Sequence, residues 1–295
     1  MTFFLKTFAY IIKSLPRKLA LVVGVCLGWM AGIIFLVRKK VCTINLDMAF
    51  ENNLSSKEKW KILIAMYANL GKNLVDFLRL PQITKENFSS FVTVEGEEIL
   101  DSARKKGKGV LGITAHYGFW DIIPLYFAFK GYGANFITKE IQNPSVNDFW
   151  MKYRTYGGVN PITKKSSSKE IISILKKNES LGFVIDQNMN TRNGVFVDFF
   201  GVKACTIDIV AKLAMNYGSP VLPMFCIRNP DDTFTIKIEE PVLLVEGETK
   251  KETIVKTTES YVSVLERYIR ERPDHWIWMH KRWKTRPEGE GPIYP

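Results

Sequence analysis

The first strong pattern along the chain is a run without polar punctuation. From Leu19 to Val37, LALVVGVCLGWMAGIIFLV, nineteen successive residues carry no charge. As a helix the run would be about 28 Å long, against about 30 Å for the hydrocarbon core of a bilayer. Arg17 and Lys18 precede it, and Arg38, Lys39 and Lys40 follow. That basic cluster stands where a cleaved signal peptide has small residues, so a removable leader fits poorly. A membrane span, a helix lying in the interface and a buried core helix all remain open, and basic residues on both flanks leave a span's orientation ambiguous.

Beyond it the apolar positions fall into two periods. SSKEKWKILIAMYANLGKNLVDFLRLP has Trp60, Leu63, Ile64, Tyr67, Leu70, Leu74, Phe77 and Leu78 at helical spacing. Ser55 and Glu58 form a capping-box signature at its start, and Pro81 closes it. A strand FVTVEG and a helix near Glu97–Lys106 follow. Then strands and helices alternate: GVLGIT, a helix over 119–130, GANFITK, a helix over 143–156, a helix from Ser166 to Lys177, SLGFVID, a helix over 207–217, PVLPMFCIR and TFTIKIEEPV. A last helix covers about 250–270. Such alternation predicts an α/β fold: a mainly parallel, mixed sheet flanked by helices. With no internal repeat or low-complexity linker, residues 1–45 read as a membrane-anchoring segment and 46–295 as one domain.

Charge narrows the partners. Lys and Arg total 41 against 30 Asp and Glu, a formal net charge of +11, which suits an anionic partner: nucleic acid, acidic lipid, or an acidic carrier or cofactor. Cys26, Cys42, Cys205 and Cys226 show no CxxC spacing and the chain has three histidines, so no metal site is expected and the cysteines read as reduced.

Several motifs are weighed against plain structural roles. GKGVLG, residues 107–112, matches G-x-G-x-x-G, but a charged helix precedes it and its last glycine lies within the strand; it reads as a tight turn, not a dinucleotide site. P-loop and nucleophile-elbow patterns are absent. ITAHYGFWD places His116 five residues before Asp121. In one regular helix these would lie about 140° apart. They meet only if His116 ends the strand and Asp121 opens the next helix, an arrangement that the strand, Gly118 and the apolar run allow. A helix-start Asp and a polar strand end are the plain alternative. Arg154 in YRTYGG suits either a helix C-terminus or an anion. Asp186 and Gln187 in VIDQN are expected on the same edge as His116. Thr206, in KACT, is a candidate polar contact or a helix N-cap. The tail DHWIWMHKRWKTRPEG mixes tryptophan with basic residues, suiting a membrane interface or stacked nucleic acid; the apolar N-terminal run favours the membrane.

Taken in order, GVLGITAHYGFWD, NPSVNDFWMKYRTYGG, GFVIDQN, GVFVDFFGVKACT and WIWMHKRWKTRPEG resemble the late acyltransferases of lipid A biosynthesis, the lauroyl/myristoyl transferases, within the lysophospholipid acyltransferase superfamily. The resemblance covers nearly the whole chain. It implies a glycerolipid-acyltransferase-like fold and a bacterial inner-membrane enzyme with its catalytic domain, 46–295, on the cytoplasmic face. The implied partners are acyl carrier protein, or coenzyme A, as acyl donor and a lipid A precursor as acceptor, with no further cofactor and no nucleic acid. His116 and Asp121 would be the catalytic dyad, and Arg154, Asp186, Gln187 and Thr206 would contact substrate. Many relatives carry Glu at position 121, Asn where this chain has Phe119, and Pro where it has Asp198; Phe119 is thereby expected to bear on acceptor choice. The alternatives are a transferase for a lysophospholipid or other glycolipid, and a non-catalytic membrane- or nucleic-acid-binding protein.

Overall fold

The computed structural model describes residues 2–163 and 168–295. The described chain opens with four helices: α1 (Thr2–Ser14), α2 (Arg17–Trp29), α3 (Lys39–Ala49) and α4 (Ser56–Arg79). Then follow α5 (Phe88–Phe91), β1 (Val92–Glu95), α6 (Glu97–Arg104), β2 (Val110–Thr114), α7 (Ile122–Lys130), β3 (Ala134–Ile137), α8 (Pro144–Arg154) and β4 (Asn160–Ile162). The chain continues through α9 (Ser168–Lys176), β5 (Ser180–Val184), β6 (Gly194–Phe199), β7 (Val202–Ile207), α10 (Ile209–Tyr217), β8 (Val221–Arg228), β9 (Phe234–Ile238) and α11 (Lys250–Glu271). The helix expected from Ser166 begins at Ser168; Ser166 and Ser167 lie outside the described residues.

Seven strands form one sheet in the order β1-β9-β8-β2-β5-β3-β4. All neighbours run parallel except β8 and β9. The fold is therefore the α/β class expected, with a mainly parallel mixed sheet. β2, at the centre, is buried at three of its five positions and exposed at none, as suits a strand covered on both faces. Gly107 and Gly109 both take positive φ in the turn entering β2, and Gly112 lies within the strand, so GKGVLG is a turn. β6 and β7 form a separate antiparallel hairpin that the apolar run GVFVDFFG did not reveal as a strand pair.

The capping box at Ser55 and Glu58 is formed, and α4 is the element against which the N-terminal segment packs. A Cβ on Gly28 would come within 2.0 Å of the Tyr67 carbonyl oxygen, and one on Gly71 within 1.9 Å of the Gly24 carbonyl oxygen. The two backbones touch, and glycine at these positions is what permits it. α2 gives way to a π-helical turn, Met30–Ile34, and Leu36 and Arg38 take positive φ, so the apolar run is not one straight helix to Val37. One face of this unit is buried on α4. The other exposes Val22, Trp29, Ile34 and Phe35.

Residue 45 falls inside α3, and the Asn45 amide donates to the carbonyls of Trp278 and His280 at 2.7 Å each. The N-terminal segment is thus continuous with the folded domain. The tail is a correction to the sequence reading. Trp276, Trp278 and Trp283 are at most 1% exposed and Arg282 is wholly buried. Their rings pack among Phe199, Phe200 and Tyr268 in the core, so they face neither a membrane nor a nucleic acid.

Candidate active site

The site follows from strand register. β2 and β5 are parallel neighbours in which Thr114 pairs with Val184. His116 and Asp186 each lie two residues beyond that last pair, so matched overhangs bring them side by side at the carboxyl edge of the sheet, where α/β proteins place ligands. His116 Nδ1 lies 2.8 Å from Asp186 Oδ1, and the His116 backbone N–H donates to Asp186 Oδ2 at 3.0 Å. The Trp276 indole N–H donates to the same Oδ2 at 2.7 Å.

Burial alone would raise the Asp186 carboxyl, but the His116 charge and these donors hold it at about 2. Burial also works against a charged His116. The Asp186 carboxylate and its hydrogen bond, then the Asp121 charge, overcome this and hold His116 above its ordinary value. An ionised Asp186 requires the proton of a neutral ring to sit on Nδ1. Nε2 then carries the lone pair. The Gln187 side-chain nitrogen lies 3.3 Å from Nε2, oriented to donate to it. The His116 side chain is 26% exposed and Asp186 only 4%, so the ring is the reachable member of the pair.

Asp121 occupies a different place from the one expected. It stands at the N-cap of α7, as the strand–turn–helix reading required, but its carboxylate faces Arg154 Nε at 3.3 Å. Arg154 in turn donates to Thr138 Oγ1 at 2.7 Å. Burial pushes the Asp121 carboxyl up against the pull of Arg154 and His116. The family resemblance implied Asp121 as the partner of His116; the parallel register, which joins residues 70 apart, gives the Nδ1 position to Asp186. Asp121 acts on His116 through its charge.

Five of the six candidate residues therefore converge: His116, Asp121, Arg154, Asp186 and Gln187. Thr206 does not line the site. It is wholly buried in β7, donates to the Ala204 carbonyl at 3.2 Å and accepts from Arg282. The α10 N-cap is Asp208. Phe119 is also inside, 1% exposed and packed on Phe234 with ring centroids 5.1 Å apart, so it cannot touch an acceptor.

The C-terminal segment supplies what the sequence reading missed. The Ile277 N–H donates to the His116 carbonyl at 3.2 Å. Arg282 donates to the carbonyls of Gln187 at 3.2 Å and Cys205 at 3.0 Å. The Asn188 N–H donates to His280 Nε2 at 3.0 Å, and burial lowers the His280 pKa, which keeps that nitrogen an acceptor. The Asn188 side chain exchanges two hydrogen bonds with Thr285. HKRWKT is thus a clamp on the Asp186–Asn188 turn. Its only legible signal was the density of hydrogen-bonding and aromatic residues in a short tail. Beside Asp121 and Arg154 an apolar recess opens, walled by Leu80, Leu125, Phe136 and Tyr153.

A family profile described as bacterial lipid A biosynthesis acyltransferase matches residues 1–285. Among curated proteins, lipid A biosynthesis acyltransferase 2 of Shigella flexneri is 24% identical over 87% of this chain and 81% of its own length. The lipid A biosynthesis lauroyltransferase of Escherichia coli (strain K12) is 24% identical over 95% of this chain and 90% of its own. The lipid A biosynthesis myristoyltransferase of the same strain is 24% identical over 90% and 80%. A solved structure, the 1-acyl-sn-glycerophosphate acyltransferase PlsC of Thermotoga maritima, aligns with a TM-score of 0.36 at 19% identity over 85% of this chain and 98% of that one.

Proposed function

Given that the chain belongs to the bacterial lipid A biosynthesis acyltransferases, we propose that it transfers a fatty acyl group from the thioester of acyl carrier protein to a hydroxyl of a lipid A precursor, at the cytoplasmic face of the inner membrane. One observation carries the chemistry: Asp186 takes the Nδ1 side of His116 and leaves a lone pair on Nε2 of the partly exposed ring, where the acceptor hydroxyl takes the place of the Gln187 amide. That nitrogen removes the acceptor hydroxyl's proton as the oxygen attacks the thioester carbonyl. A carbon–oxygen bond forms, the carbon–sulfur bond breaks, and the proton passes from Nε2 to the departing sulfur. General-base help of this kind contributes about 10² to 10⁴ in rate. Asp186 fixes the tautomer and stabilises the imidazolium, the role that the buried acid plays in a serine–histidine–aspartate triad. The substrate brings its own nucleophile, so none is required from the chain.

Arg154 has more N–H donors than its contacts to Asp121 and Thr138 use, which suits an acceptor phosphate. The exposed apolar face of α1, α2 and the turn that follows, with Phe3, Phe4, Val22, Trp29 and Phe35, suits a seat in the bilayer interface, flanked by the basic residues at 38–40.

His116→Ala should lose at least about 10²-fold in acyl transfer while still binding vesicles. Asp186→Asn should fall by up to about 10⁴-fold, because an amide can stabilise the wrong tautomer. Transfer from acyl carrier protein and from coenzyme A thioesters to a lipid A precursor, followed by mass spectrometry, measures both. Undiminished transfer by His116→Ala would overturn the mechanism.

A further inference from the structure

The turn that carries His116 is held from behind by a buried polar chain that spacing and composition gave no reason to expect. Gly118 lies between His116 and Asp121 with φ of +55°, and a Cβ there would come within 1.7 Å of the Cys226 carbonyl oxygen. Its peptide groups are gripped on both sides. The Gly118 N–H donates to the His275 carbonyl at 2.9 Å. The Gly118 carbonyl accepts from the Asn73 amide of α4 at 2.6 Å. Asn73 is itself oriented: its Oδ1 accepts from Arg228 Nη2 at 2.8 Å, which leaves its amide nitrogen no choice but to face the turn. Arg228, 4% exposed, also binds Asp76 Oδ2 at 2.7 Å. Asp76 receives Arg17, the first residue of α2, at 3.0 Å on its other oxygen.

We propose that Asn73 is a positioning residue for acyl transfer. Its amide fixes the Gly118 carbonyl, and with it the His116–Asp121 turn, in catalytic register, and Arg228 locks the amide's orientation. The Asp76–Arg17 pair ties the same framework to the apolar N-terminal helix. The proposal rests on His116 acting as the base.

The test is Asn73→Asp. The new carboxylate matches the amide in shape and keeps, as an ion pair, the contact to Arg228. It has no N–H for Gly118 and sets an oxygen against the carbonyl. If Asn73 served only to satisfy Arg228, this variant would be fully active. We expect kcat to fall by about 10- to 100-fold, the scale of a displacement near 1 Å, with KM within about twofold of the parent. Where Asn73→Asp does not stay folded at the assay temperature, Asn73→Ser, too short to reach Gly118, carries the same expectation. A folded variant with kcat within about twofold of the parent overturns the proposal. Absence of acyl transfer in the parent protein would instead overturn the proposed function.

Discussion

Two stretches of this chain are rich in aromatic and basic residues, and they end in opposite surroundings. The N-terminal unit of α1, α2 and the π-helical turn after it leaves Phe3, Phe4, Trp29 and Phe35 open to solvent. The C-terminal segment buries Trp276, Trp278, Trp283 and Arg282 to 1% exposure or less. What separates them is the supply of hydrogen-bond partners. The Trp276 indole finds a carboxylate, Trp278 donates to the Pro273 carbonyl at 2.7 Å, and Arg282 finds two carbonyls and a hydroxyl. Indole and guanidinium groups go inside when most of their donors are answered there, and of these groups only Arg282 Nε is left without a partner. α2 buries a narrow stripe of Ala20, Leu21, Gly24 and Gly28, glycine-lined where it meets α4, while Leu19, Val22 and Trp29 stay exposed.

The contrast can be broken first through stability. Trp278→Ala removes a wholly buried ring and should cost about 3–5 kcal/mol in denaturant unfolding. Trp29→Ala should stay within about 0.5 kcal/mol. Equal costs would remove the distinction.

Next in size is Trp276→Phe, which deletes a donor to an ionised carboxylate and should cost about 1.5–3 kcal/mol near neutral pH. It has a signature in acid. Asp186 is held at about 2, below its unfolded value of 3.8, so its contribution to stability is present above that unfolded value and is lost as pH falls through about 2. Without the indole the folded value rises toward 3.8. Less stability is then at stake, and acid unfolding begins at higher pH. A series of unfolding curves between pH 2 and pH 5 reads the difference.

The smallest effect sharpens the other side. Ile34→Ser with Phe35→Ser should weaken binding to anionic vesicles by about tenfold, roughly 1.4 kcal/mol. The unfolding free energy should remain unchanged. Undiminished binding would mean that the exposed face is not where the bilayer sits.

The rate itself offers a further check on the site. With His116 as the proposed base, transfer needs the neutral ring and the pair holds it above its ordinary value, so the acid limb of the pH–rate profile should lie above about 6.5. In Asp186→Asn the residual activity should show this limb moved to lower pH, because burial then pulls without the opposing carboxylate.

Most of the elements were legible in the chain because their signals are local. The capping box at Ser55 and Glu58, the alternation of apolar strands with amphipathic helices, and the glycine turn before β2 all formed as expected. His116, Asp186 and Gln187 were expected on one edge because each follows a strand there, and Asp121 was expected to open the next helix; Arg154 was a candidate only as an anion contact at a helix end. Their pairing was not legible. Asp121 is five residues from His116 and Asp186 is seventy, and only the alignment of β2 with β5 gives the distant one the Nδ1 position. Phe119 and Thr206 looked like site residues by position in a motif, yet both point into the core. Asn73 and Arg282 act through backbone carbonyls, which leave no mark on residue type at the receiving end.

The matched overhangs of β2 and β5 also constrain which lengths of chain can be inherited. Substitution at position 185 changes a side chain, but one added or deleted residue between Val184 and Asp186 would turn the carboxylate toward the opposite face of the sheet. Ile185 or Gln187 would then meet His116. Insertions and deletions in variants that keep activity should therefore collect in exposed turns such as 105–108, and avoid the two short spacers that end these strands.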